Sequence, residues 1–202
     1  MARPKIDVLI AGAGGQGIVL ASDIVAEAAL RDGYDVKKAD TLGMAQRGGS
    51  VVSHLRLAER VYAPLIKKGE ADLLVAFEKL EAARWAAYLR PGGVAVVNDQ
   101  AIAPLPVSTG VEEYPSDEQI RSIIGQFTGE MYFVPAFAAA QKLGNPRVLN
   151  SFMLGFASHF LPIGEDAWQE SIGKLVPARA LPLNLLAFAQ GREGAKTVRR
   201  GA

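Results

Sequence analysis

The sequence predicts an α/β fold, Rossmann-like, with a mainly parallel sheet flanked by helices and a helical C-terminal part. Three observations carry that expectation. A strand-like run at residues 6–10 leads into a glycine-rich loop at 12–17 and then a helix-like run at 17–25, the order of a strand–loop–helix unit. Residues 72–77, 78–89 and 93–98 read as strand, helix and strand, which favours parallel strands joined by a right-handed crossover. From residue 136 onward the apolar spacing is helical, with proline or glycine between segments.

Taken in order, the first loop has the form of an anion cradle. Gly12, Gly14, Gly15 and Gly17 let the backbone approach a ligand, and Gln16 sits among them at the mouth of the following helix. The spacing also matches a dinucleotide fingerprint, and Asp40 falls after a second strand-like run, where an acidic residue would meet a ribose hydroxyl. The competing structural reading is that Gly12, Gly14 and Gly17 serve only a tight turn and close helix–strand packing. Residues 40–49 hold too many glycines for the crossover helix of an ordinary dinucleotide domain, and they run straight into a β-branched strand at 50–57. That second loop, with Gln46, Arg47, Gly48, Gly49 and Ser50, is a second candidate anion contact, because an arginine between glycines brings a planar fork beside free backbone N–H groups. A salt bridge from Arg47 to a partner chain is the alternative.

Pro91-Gly92-Gly93 ends the helix predicted at 78–89, and 93–98 is the next buried strand. A proline-bounded stretch at 101–106 precedes Ser116-Asp117-Glu118-Gln119, a capping-box pattern that starts a helix to about residue 126. A short strand follows at 131–135, then helices at 137–143, 148–161, 165–176 and 183–190. The helix at 148–161 is apolar around most of its circumference, which suits a subunit interface as much as a core. Residues 5–190 read as one domain and 191–202 as a flexible basic tail.

Among the charged residues, His54 and Arg56 share strand parity with Ser50, on one face beside the Arg47 loop. Both His54 and, in its apolar helix, His159 read as structural. Glu78 and Glu81 lie where carboxylates complement a helix dipole, so capping is expected of them rather than acid–base work.

Composition narrows the function classes. The 202 residues carry 22 basic and 21 acidic side chains, without a nucleic-acid binder's basic excess. The chain has no cysteine and two distant histidines, which excludes disulfides and thiolate-held zinc or iron–sulfur clusters on this chain, so any metal cluster belongs to another. No apolar stretch is long enough to span a bilayer and no signal-peptide pattern opens the chain; the expectation is a cytoplasmic protein without membrane or nucleic-acid partners.

Gly12-Ala13-Gly14-Gly15-Gln16-Gly17, then Gly43-Met44-Ala45-Gln46-Arg47-Gly48-Gly49-Ser50-Val51, Gly69-Glu70-Ala71-Asp72 with Phe77-Glu78 and Glu81-Ala82, and Leu89-Arg90-Pro91-Gly92-Gly93 with Asn98 form an ordered set. It resembles the gamma-type domain of 2-oxoacid:ferredoxin oxidoreductases, in the form closest to the small (beta) subunit of indolepyruvate ferredoxin oxidoreductase. Pro104-Leu105-Pro106 through Tyr114-Pro115, and Val176-Pro177 with Asn184 and Ala187-Phe188, support the narrower resemblance. It implies a subunit, inactive alone, of a complex that decarboxylates an aryl 2-oxo acid to an acyl-CoA. Thiamine diphosphate, Mg and iron–sulfur clusters are then expected on a large partner subunit, ferredoxin as acceptor, and coenzyme A as co-substrate at the interface. The glycine-loop residues Gly12, Gly14, Gly15, Gln16, Gly17, Gln46, Arg47, Gly48, Gly49 and Ser50 become expected cofactor contacts, with no catalytic and no metal residue on this chain. Two other readings stay open: a free-standing Rossmann oxidoreductase using NAD or FAD, and a non-catalytic nucleotide-binding module.

Overall fold

The computed structural model describes residues 3–42 and 49–199, without the side chains of residues 42, 105, 106, 198 and 199. In chain order the elements are β1 (Ile6–Ala13), α1 (Ile18–Arg31), β2 (Asp35–Leu42), β3 (Ser50–Ala58), β4 (Ala71–Ala76), α2 (Lys79–Trp85), β5 (Leu89–Asn98), α3 (Leu105–Ser108), α4 (Asp117–Gly125), β6 (Glu130–Val134), α5 (Ala136–Lys142), α6 (Leu149–Ala157), α7 (Glu165–Leu175) and α8 (Leu181–Arg199). Among the described residues no helix is long and apolar enough to cross a membrane.

The six strands form one sheet in the order β2-β3-β1-β4-β5-β6. Pairing is parallel from β1 through β4 and β5 to β6, as the strand–helix–strand pattern predicts. At the other side β3 runs antiparallel to both β1 and β2. The glycine-rich connection explains this departure: a chain that cannot form a crossover helix has no means of returning to a parallel start, so the third strand folds straight back.

Side-chain alternation divides the core into two layers. Val8, Ile10, Leu55 and Leu57 pack under α1 and the C-terminal helices, whereas Leu9, Ala11 and Val52 pack under α2 and α4. The capping box forms as read, with the Ser116 hydroxyl accepting from Gln119 N and the Gln119 side chain accepting from Ser116 N.

Two expectations are corrected, and one left open between core and interface is resolved. The helix predicted at 78–89 stops at Trp85, a 3-10 turn spans 86–88, and Leu89 already pairs with Ala71 in the sheet. Register then jumps to Leu73 opposite Val94, so the bulge takes up Pro91 and the left-handed Gly92, which a regular ladder would reject. Helix α6 is a core element: all nine of its residues are buried within this chain alone, against α5, α8 and the sheet. Finally, the tail expected to be flexible from Arg192 is helical to Arg199. Ala195 is fully buried, and the Arg192 guanidinium holds Ser158 at 2.7 Å and Glu165 at 3.3 Å.

Helices α6 and α8 touch through glycines. A Cβ on Gly155 would sit 2.1 Å from the Phe188 carbonyl oxygen, and one on Gly191 2.0 Å from that of Phe152. Backbone cannot yield as a flexible side chain would. Gly155→Ala should therefore lower the unfolding free energy by about 1–3 kcal/mol in a urea titration. The matched control Gly173→Ala, in α7 with open space at its Cβ, should be stabilising by roughly 0.5–1 kcal/mol.

Candidate functional site at the carboxyl end of the sheet

Parallel strands β1, β4, β5 and β6 all end on one side, the side on which open α/β sheets place ligands. Splaying strands leave backbone groups without ladder partners there, and side-chain amides take their place. The Gln16 Oε1 accepts from Ala13 N at 2.8 Å while its Nε2 donates to the Phe77 carbonyl at 2.8 Å. Asn98 Nδ2 donates to the same carbonyl at 3.0 Å and to Gln100 Oε1 at 3.1 Å, and Asn98 Oδ1 receives Phe137 N, in the first turn of α5, at 3.2 Å.

The first glycine loop needs its glycines. Gly15 and Gly17 have φ of 101° and 78°, a region costly for residues with a Cβ. At Gly12 a Cβ would lie 2.6 Å from Ile18 Cδ1 and 2.8 Å from Gln16 Oε1, so a substitution there would displace both side-chain tips. The first loop meets the end of the second: Gly14 N donates to the Gly49 carbonyl at 2.8 Å, and Ala13 pairs with Ser50. Ser50 itself is turned to α2, its hydroxyl donating to Glu81 at 2.5 Å and accepting from Trp85 Nε1 at 3.4 Å. Gln46, Arg47 and Gly48 lie outside the described residues.

Between the first loop and the helical half is a cleft of about 400 Å³. Gly15, Gln16, Gly17, Gln100, Arg147 and Asn150 give it polar edges, and Leu20, Ile102 and Phe137 an apolar wall. Asn150, 8 % exposed, donates to the Gly17 carbonyl at 3.4 Å and so ties α6 to the loop. Among the described residues no carboxylate lines the cleft, and the first turn of α1 has no acidic residue. Arg147, at the rim, stands in none of the ion pairs of the described residues. A larger depression of about 620 Å³ beside α4 carries Glu113 and Glu118, the wrong charge for the anion that the loop suits.

Sequence reasoning did not single out Gln100, Arg147 or Asn150. Asn150 left a signal, a lone amide in an otherwise apolar helix. The other charged candidates are engaged elsewhere. Asp40 accepts from the Ser53 hydroxyl at 2.6 Å and pairs with Lys38 at 3.1 Å. With β3 between β2 and β1, it stands two strand spacings, roughly 10 Å, from the first loop's strand. Arg56 shares the face of Ser50 but lies at the far end of β3, clamped to buried Asp7 at 3.1 and 3.0 Å and to Glu70 at 2.6 Å. Glu78 caps α2, accepting from Glu81 N at 2.9 Å. His159 bonds the Arg192 carbonyl at 2.9 Å, a structural role.

Against known proteins, residues 7–194 match the family model described as pyruvate ferredoxin/flavodoxin oxidoreductase. The chain belongs to this family. It is 35% identical to indolepyruvate oxidoreductase subunit IorB of Thermococcus kodakarensis over 195 residues, 95% of this chain and 96% of that one. It is likewise 35% identical to the IorB subunit of Archaeoglobus fulgidus over 189 residues, covering 93% and 94% of the two chains. The keto/oxoacid ferredoxin oxidoreductase gamma subunit of Geobacter sulfurreducens superposes with a TM-score of 0.70 at 23% identity, over 95% of this chain and 99% of that one. The 2-oxoglutarate:ferredoxin oxidoreductase of Magnetococcus marinus, solved with 2-oxoglutarate, coenzyme A and succinyl-CoA, superposes with a TM-score of 0.74 at 23% identity; 96% of this chain spans 31% of that larger one. The α/β fold of the family is thus the fold of this chain.

His54, 5 % exposed, accepts from Ile66 N through Nδ1 at 3.2 Å and lies edge-on to Trp85 and Tyr88. Burial, helped by Arg56, lowers its pKa. An imidazole kept neutral in the fold but free to charge when unfolded binds fewer protons folded, so its contribution is complete above the ordinary value of 6.5 and is lost as pH falls below it. Urea stability of the wild type should decline from about pH 6.5 downward, at no more than ~1.4 kcal/mol per pH unit from this residue. His54→Gln should remove that part of the slope.

Proposed function

We propose that this chain is the small subunit of an aryl, indolepyruvate-type 2-oxoacid:ferredoxin oxidoreductase, and that its glycine-loop cleft holds the phosphate-bearing part of coenzyme A. The observation that carries the reading is the cleft's lining among the described residues: the glycines and amides of the first loop, the Arg147 guanidinium outside the ion pairs, and no carboxylate. Phosphates suit such a place, and the apolar wall of Ile102 and Phe137 suits an adenine or pantetheine segment. The names of its relatives support the rest. Thiamine diphosphate, Mg and iron–sulfur clusters belong to a large partner subunit in this reading, and ferredoxin takes the electrons. When bound, those groups supply decarboxylation and electron transfer.

This chain's part is binding and orientation. The first loop, braced by Gln16 and Asn150, offers its remaining N–H groups to the ligand, and Arg47 of the second loop is the further contact proposed for the ligand or the partner. A free-standing NAD or FAD oxidoreductase fits less well, because the acidic residue that would take the ribose, Asp40, is held by Ser53 and Lys38.

The purified chain alone should be colourless and inactive, gaining coenzyme A–dependent turnover of an aryl 2-oxo acid only with its large subunit. Within that assembly Gly17→Ala should weaken coenzyme A binding at least about tenfold, since its Cβ would strain φ and sit 2.4 Å from Asn150 Nδ2. Arg47→Ala, which removes a charge-assisted contact, should cost about ten- to a hundredfold with thermal stability unchanged. Micromolar NAD binding by the isolated chain, or wild-type coenzyme A affinity in both variants, would refute the proposal.

A further inference from the structure

Residues 99–116, between β5 and α4, form a strap across the carboxyl end of the sheet, and both of its ends are tied to the same short turn. Glu78, 2 % exposed, accepts Ile102 N at 3.0 Å and the Tyr114 hydroxyl on Oε1, while Oε2 caps α2 through Glu81 N at 2.9 Å. Leu80 N donates to the Tyr114 oxygen at 3.2 Å. The next residue, Lys79, donates its backbone N–H to the Gln100 carbonyl at 3.1 Å, and its ammonium reaches Asp117 at 2.5 Å and Asp99 at 3.4 Å.

A helix cap requires one backbone donor of its carboxylate. Glu78 takes three donors from three places, two of them on the strap, and capping accounts for only one. The length of glutamate matters here, because one oxygen stays on α2 while the other reaches the strap. Residues 108–113 between the anchors are exposed, so the anchored ends fix where the strap begins and finishes. At its start the strap delivers Gln100 and Ile102 to the cleft, and Gln100 in turn meets Asn98.

We infer that Glu78 is a positioning residue for the coenzyme A cleft: by anchoring both ends of the strap it holds Gln100 and Ile102 against the bound cofactor. This rests on the function proposed above. Tyr114→Phe removes the hydroxyl bridge to Glu78 and Leu80 N while leaving the Glu78 bond to Glu81 N in place, and Glu78→Gln loosens both anchors. Thr128→Val is the control, since it deletes a buried hydrogen bond to the Gly93 carbonyl toward the opposite end of β5.

The test assembles each variant with the large subunit and measures two things: proteolytic cleavage within residues 101–113, and coenzyme A affinity by calorimetry. Tyr114→Phe should speed cleavage and weaken coenzyme A by at least about threefold, since its hydroxyl makes two hydrogen bonds. Glu78→Gln should do more of both, and Thr128→Val neither. Bound coenzyme A should slow cleavage of the wild-type strap. Faster cleavage with unchanged affinity would overturn the inference, as would wild-type protection in Tyr114→Phe. If Gly17→Ala also binds coenzyme A normally, the proposed function falls and the inference with it; if only the strap variants bind normally, the inference alone falls.

Discussion

The site depends on one side chain closing the gap where β1 and β4 separate. Gln16 accepts from Ala13 N and donates to the Phe77 carbonyl, both at 2.8 Å, so two backbone groups that leave the ladder are satisfied by one amide. Without it, Ala13 N would carry a desolvation cost of about 1–3 kcal/mol, while the Phe77 carbonyl would keep only Asn98. The bridge also sets the shape of the first loop. A Cβ on Gly12 would meet Gln16 Oε1 at 2.8 Å and displace the bridge, and Asn98 continues the network from the same carbonyl to α5. The cleft is the space left beside this network.

Charge is distributed to the same end. Carboxylates near the carboxyl ends of the strands are consumed by neighbours: Glu78 by two backbone N–H groups and Tyr114, Glu81 by Ser50 and Arg84, Asp40 by Ser53 and Lys38. At the opposite end buried Asp7 is neutralised by Arg56 and Lys5. Among the described residues, those that line the cleft bring glycine backbone, amide and guanidinium groups. An anion entering there meets no opposing charge from the lining residues.

Local signals made much of this legible. The glycines at 12–17 require a strand before and a helix after, and both appear; the capping box at Ser116 starts its helix where read. What escaped the sequence was long-range. Strand register absorbed Pro91 and Gly92 in a bulge, so a predicted stop became part of β5. The apolar circumference of α6 could not distinguish an interface from a core, because that depends on α8 lying against Gly155. Likewise the polar tail became helix once Arg192 found Ser158 and Glu165. Asn150 reaches Gly17 across 133 residues of chain, and Arg147 lines the same cleft, a proximity no local pattern encodes.

Backbone N–H groups of the first loop and of α1's first turn are the central contacts in this account. Amide hydrogen exchange of the assembled complex, with and without coenzyme A, reads them directly. The account predicts slowed exchange at residues 14–20 and at 147–150 when coenzyme A binds. Unchanged exchange there, with protection appearing elsewhere on the chain or only on the large subunit, would contradict it.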